Sequence, residues 1–171
     1  MFALGLNGPT ILQNLRKMPS EVEATRDQYL SWMKEDEEWT GSWSSFPEGI
    51  VNMEDMNLSN TRLKLSLTSK NGEIGGEISS PEICRDMPHF DFLLLRGKVS
   101  GRTAEVIVWD VVGGKTAEFA RLTLERKDGV ITVTPTSGKT SWFKDNARIG
   151  KHPDAENNFL VGYCKTIGAA Q

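Results

Sequence analysis

The sequence predicts a mainly β protein, an antiparallel up-and-down β-barrel of about eight strands with an N-terminal amphipathic helix. Three observations carry this reading. A capping signature and an apolar stripe at helical spacing fall before Trp39. From Trp39 onward the apolar period is two. Four tight-turn dipeptides, Asn71-Gly72, Ser100-Gly101, Gly113-Gly114 and Asp128-Gly129, divide that part into hairpins.

The chain opens on Met1-Phe-Ala-Leu-Gly-Leu6, which is apolar but lacks the basic start of a secretory signal. It reads either as a loose arm or as the tail of a membrane anchor lying upstream of Met1. Pro19 separates a short helix, residues 10–18, from a longer one, residues 21–37. Ser20-Glu21-Val22-Glu23 is a capping box that starts the second. Leu15, Met18, Val22, Tyr29, Trp32 and Met33 form one stripe, opposite Glu21, Arg26, Asp27, Lys34 and Glu35. The run Glu35-Asp36-Glu37-Glu38 sits at the negative end of the helix dipole, so fraying is expected there.

Strands are expected at 41–46, 61–69, 73–79, 90–99, 102–112, 115–126, 130–135 and 140–144. The segment from Phe159 to Tyr163 is a last short strand or a docked tail. The parts are then 1–38 (arm and helix), 39–150 (barrel) and 151–171 (tail). Ideal turns pair Leu67 with Gly76 and Leu65 with Ile78. Chained onward, they gather Phe92, Leu94, Arg96, Glu105, Ile107, Trp109, Glu118, Ala120, Leu122, Leu124, Ile131 and Val133 on one face, read as the interior. Leu93, Leu95, Val106, Val108 and Phe119 fall on the outer face, which needs a cover; the helix is the candidate.

Trp39-Thr-Gly41-Ser-Trp43, opening the first strand after a helix, resembles the G-x-W entry of the lipocalin and calycin barrels. The resemblance implies that Trp43 closes one barrel end with a late arginine, here Arg148, stacked over it. The second lipocalin motif, Thr-Asp-Tyr, is absent. The order of apolar start, helix and G-x-W barrel is also similar to membrane-linked bacterial β-barrel effectors that sense cyclic oligonucleotides in anti-phage defence. That likeness implies a sensor at the inner face of a membrane, although no nucleotide motif accompanies it.

Formal net charge is −3, from 20 Lys+Arg against 23 Asp+Glu. Such a chain has no basic field, which excludes duplex nucleic acid as the default partner. Two cysteines and two histidines exclude a disulfide scaffold and a four-cysteine or histidine-rich metal centre. No cofactor or metal is expected, and both cysteines are expected reduced in a cytoplasmic setting.

The candidate ligand site is a polar handle in an apolar cup: Arg96 opposite Glu105, and Glu118 opposite Trp109 with Phe92 beyond. Arg96 would hold an anionic group while Trp109 or Phe92 stacks on a ring. Asp91 and Asp110 come out facing one another, but two carboxylates alone do not define an enzyme. The loop holding Cys84 and His89 offers no orienting third residue. Val112-Gly113-Gly114-Lys115-Thr116 lacks the earlier glycine of a phosphate loop and leads into a strand. The leading expectation is a non-catalytic barrel binding a small anionic or aromatic molecule. The alternative is an interaction or homo-oligomerisation module using the helix and outer face.

Overall fold

The computed structural model describes residues 8–45, 56–152 and 160–168, and within these the side chains of 8–22 and of Trp32 lie outside the description. Helix α1 (Gly8–Trp39) leads into eight strands: β1 (Gly41–Ser44), β2 (Lys64–Lys70), β3 (Glu73–Ser79), β4 (Leu93–Ser100), β5 (Thr103–Val112), β6 (Lys115–Lys127), β7 (Val130–Gly138) and β8 (Ala147–His152). Each pairs antiparallel with the next, and β8 returns to β1, so the sheet is a closed barrel. Two short helices, α2 (Pro81–Asp86) and α3 (Tyr163–Gly168), lie outside it.

The turns set the register. Asn71 and Gly72 both adopt positive φ, at 55° and 78°, the backbone a two-residue hairpin requires. They pair Leu67 with Gly76 and Leu65 with Ile78, as expected. The turns at Gly113-Gly114 and Asp128-Gly129 also close where expected. The β4–β5 turn lies one residue later, since Ser100 pairs with Thr103. Lys98, not Arg96, therefore stands opposite Glu105.

A bulge decides which face is inside. Val108 pairs with Ala120 but Trp109 pairs with Glu118, leaving Phe119 unmatched. One extra residue reverses the facing of everything beyond it. The interior is built from Leu93, Leu95, Ala104, Val106 and Val108 together with Ala120, Leu122, Leu124, Ile131 and Val133, each under 5% exposed. The expected interior is thus correct on β6 beyond the bulge and on β7, and inverted on β4 and β5. Leu63, Leu65, Leu67, Ile74, Ile78, Trp43, Ala147 and Ile149 join the same core, which fills the barrel with side chains.

Other expectations change for local reasons. The backbone of α1 continues through Pro19; proline removes one i→i−4 bond there, and the helix spans the gap. The described part of the stripe does not cover the barrel: residues 23–31 are exposed, Tyr29 and Met33 lie open, and α1 docks through its last turns, while the side chains of Leu15, Met18, Val22 and Trp32 lie outside the description. The acidic end does not fray. Asp36 accepts from the Ser69 hydroxyl (2.7 Å) and the Asn71 amide (2.9 Å), and Glu38 pairs with Arg126. These bonds offset the unfavourable helix dipole.

Residues 140–144 are not a strand. Thr140–Trp142 form a 3₁₀ turn, and Trp142 Nε1 donates to Asp86 Oδ2 at 2.7 Å. Phe159 lies outside the described residues, while Leu160–Gly162 form a turn that leads into α3 at Tyr163, so no strand forms over 160–163.

The cysteines are not free: Cys84 of α2 and Cys164 of α3 form a disulfide across a sequence separation of 80 residues. In the chain-entropy account, closing a loop of that length stabilises by about 4.5 kcal/mol. The Cys84→Ser/Cys164→Ser variant is expected to unfold at correspondingly lower denaturant concentration, with a matching loss when the parent protein is reduced.

Closure also needs tight approaches. A Cβ on Gly97 would lie 2.0 Å from the Glu105 carbonyl oxygen, against 3.6 Å for the nearest atom at Gly75. Gly97→Ala is expected to destabilise by about 2 kcal/mol or more, and Gly75→Ala by much less, read from denaturant melts.

Candidate functional site

The outward residues of β3–β6 lie in three rows. Glu77, Leu94, Trp109 and Glu118 form the first; Gly75, Arg96, Ile107 and Arg121 the second; Glu73, Lys98, Glu105 and Thr123 the third. Glycine at 75 leaves the second row open beside Arg96. The Arg96 guanidinium lies 4.9 Å from the centre of the Trp109 ring and donates to Glu118 at 2.9 Å. Arg121 donates to the other oxygen of Glu118 at 3.3 Å. Glu118 thus holds two arginines, one of them stacked on an indole. Exposed ion pairs contribute only about 0–1 kcal/mol each, so the cluster organises the wall more than it stabilises the fold. In the first row, burial raises the Glu77 carboxyl above its ordinary value.

Beside this cluster runs a groove of about 680 Å³, bordered by Glu73, Arg96, Lys98, Glu105, Ile107 and Arg121 among others. The Trp109 indole N–H is enclosed without a partner among the described residues.

Three of the residues expected in the cup meet in the structure, but not inside the barrel. Arg96, Trp109 and Glu118 do meet, but on the outer wall. Glu105 borders the groove and faces Lys98. Phe92 is half-buried ahead of β4, outside the cluster. The interior cup is replaced by packed aliphatic side chains because the Phe119 bulge turned β4 and β5 over.

At the barrel end carrying the Asn71-Gly72 turn, Trp43 is buried as the lipocalin likeness implies. The cation over it is Lys151, 5.6 Å from the ring centre, not Arg148. Arg148 lies between the inward Ala147 and Ile149 and so faces out, where it donates to the carbonyls of Asn57 (3.0 Å) and Met56 (3.2 Å). Asp91 and Asp110 do not face each other: Asp91 accepts from the Gly162 amide at 3.1 Å, and Asp110 from its neighbour Val111. Cys84 is in the disulfide, which removes it as a nucleophile beside the exposed His89.

The opposite end holds a second pocket, of about 310 Å³, at the meeting of the 60–63 segment, α2 and the 3₁₀ turn. Sequence reasoning missed its residues, among them Thr61, Arg62, Ser80 and Lys144, because they come from three connections with no shared periodicity. Trp142 is the visible signal, although spacing alone places it in a strand. Ser80 fixes this region by accepting from the Ile83 amide (3.2 Å) and donating to the Trp142 carbonyl (3.0 Å). Among the described residues no cluster of three metal-ligating side chains occurs, and no helix is long and apolar enough to cross a membrane.

No protein-family model matches the chain, and no curated protein or solved structure matches it.

The bond from Trp142 holds the Asp86 carboxyl below its ordinary value of 3.8, helped by Arg85. Its stabilising contribution is full above 3.8 and is lost as pH falls below that value toward the lowered folded value. Acid titration should therefore shift Trp142 emission below 3.8, and Asp86→Asn should remove that transition; a persistent transition in the variant would assign it elsewhere.

Proposed function

We propose that the chain is a non-catalytic binding module that recognises a protein partner on the outer wall of β3–β6. The observation that carries this reading is the Arg96–Trp109–Glu118–Arg121 cluster beside an open groove, outside a barrel filled with side chains. Tryptophan and arginine are the residues that most often anchor protein interfaces. A small molecule is usually held with most of its surface enclosed, which an open wall does not provide. A closed barrel also offers no strand edge for pairing, so recognition proceeds through side chains. Arginine and lysine alternate here with Glu73, Glu105 and Glu118, so the matching segment carries charges of both signs around an aromatic or aliphatic anchor.

The lipocalin relationship rests on Gly41, Trp43 and the barrel, and the cyclic-oligonucleotide reading on element order alone. Neither gains a residue from the wall. The disulfide favours an oxidising compartment over the cytoplasm.

The test is a peptide-display selection on the folded protein, followed by affinity measurement. Trp109→Ala and Arg96→Ala should each weaken the selected peptides at least about tenfold, the loss expected at an interface anchor. Peptides that bind both variants unchanged, or no enrichment, would overturn the reading. Self-association is the second reading, favoured by the exposed Tyr29, Leu30 and Met33 of α1. It expects a concentration-dependent mass in sedimentation that Tyr29→Glu/Met33→Glu abolishes.

A further inference from the structure

From the pocket at the α2 end we infer that the barrel mouth binds a small organic acid with a flat apolar body, independently of the outer wall. The volume of about 310 Å³ falls at the lower bound for small-ligand sites. Its apolar lining is Leu63, Trp142 and Phe143, all buried. Trp142 is fixed by two hydrogen bonds, Nε1 to Asp86 and its carbonyl from Ser80, so the aromatic wall is preformed. A preformed wall reduces the ordering a ligand must impose.

Arg62 and Lys144 supply positive charge at the rim. Neither has a carboxylate within ion-pair distance among the described residues, whereas Arg85, Arg96, Arg121 and Arg126 all do. Arg62 is held in an unusual backbone conformation, φ 53°, and its carbonyl accepts from the buried Tyr163 hydroxyl. That contact, with the Cys84–Cys164 bridge, ties α3 beside the pocket. Thr61 adds an enclosed hydroxyl with no partner among the described residues. A buried hydroxyl left unpaired is unfavourable, which an acceptor or donor on a ligand relieves. Glu82, the acidic residue in the lining, disfavours a second anionic group on the ligand. One anionic group, a flat body and a small volume define the class.

The probe is 1-anilinonaphthalene-8-sulfonate, titrated calorimetrically into the folded, disulfide-intact protein, with its uncharged relative N-phenyl-1-naphthylamine as comparison. We expect one saturable site for the sulfonate, at least tenfold weaker binding of the uncharged probe, and at least tenfold weaker sulfonate binding by Arg62→Ala/Lys144→Ala. Arg96→Ala should bind as the parent does. If the double variant does not fold, Lys144→Glu alone carries the test. Absence of saturable binding, equal affinity for both probes, or unchanged affinity in the rim variant would each overturn the assignment. A loss in Arg96→Ala instead would place the probe on the outer wall.

Discussion

The structure depends on a short seam. Three residue pairs, Ser42 with His152, Trp43 with Lys151 and Ser44 with Gly150, join the first strand to the last. Without them the sheet would have two open edges, and β1, only four residues long, would have a neighbour on one side. Trp43 stands at this seam, and Trp39 lies just ahead of β1. Trp43 is buried in the barrel end and donates to the Trp39 carbonyl at 3.3 Å, while Trp39 is fully buried and donates to the Gly101 carbonyl at 3.2 Å. The last turn of α1 therefore belongs to the barrel. It bridges the β2–β3 hairpin through Asp36, the β4–β5 hairpin through Trp39, and β6 through the Glu38–Arg126 pair. Losing the Trp43 indole would open a large cavity beside this three-pair junction.

The same arrangement explains why the acidic run could not be read correctly from spacing. Four carboxylates at a helix C-terminus are unfavourable in isolation. Their partners, Ser69, Asn71 and Arg126, are 33 to 88 residues away and are brought to the helix only by the finished barrel. Local rules describe the helix as an isolated object, and here tertiary contacts decide.

What was legible was whatever depended on short-range geometry. Asn71-Gly72, Gly113-Gly114 and Asp128-Gly129 specified three hairpins to the residue, because positive φ at both turn positions admits few sequences. The antiparallel barrel of about eight strands was legible as a class, but the eighth strand was not: it is expected at 140–144 and lies at Ala147–His152. The inside of the barrel was not legible across β4 and β5, since Phe119 continues the alternation of its neighbours and nothing in the sequence marks it as the unmatched residue. Leu94 and Ile107 on the wall are as apolar as Leu95 and Val106 within, so hydrophobicity could not correct the error. The pairing of Trp109 with Glu118 survived because it lies between the bulge and the turn, where the register is the one the Gly113-Gly114 turn sets. The mouth was least legible: its walls come from three connections, and the disulfide that gathers them joins residues 80 apart.

The bulge also governs where chemistry can sit. Had β4 and β5 kept ideal register, Arg96 and Glu118 would point into an apolar interior, where an ion pair loses several kcal/mol of hydration for each charge. The extra residue at Phe119 resolves this conflict by giving the interior to Leu95, Val106 and Val108 and the solvent to Arg96, Ile107 and Trp109. The barrel gains a dry core, and its wall gains a tryptophan that the core could otherwise have used. Leaving a large aromatic only partly buried under an arginine adds little to folding, since the cation–π contact contributes about 0.5–1 kcal/mol at such a site. The core is already complete without it. Trp109 therefore differs from Trp39, Trp43 and Trp142, each of which is buried and bonded to its surroundings.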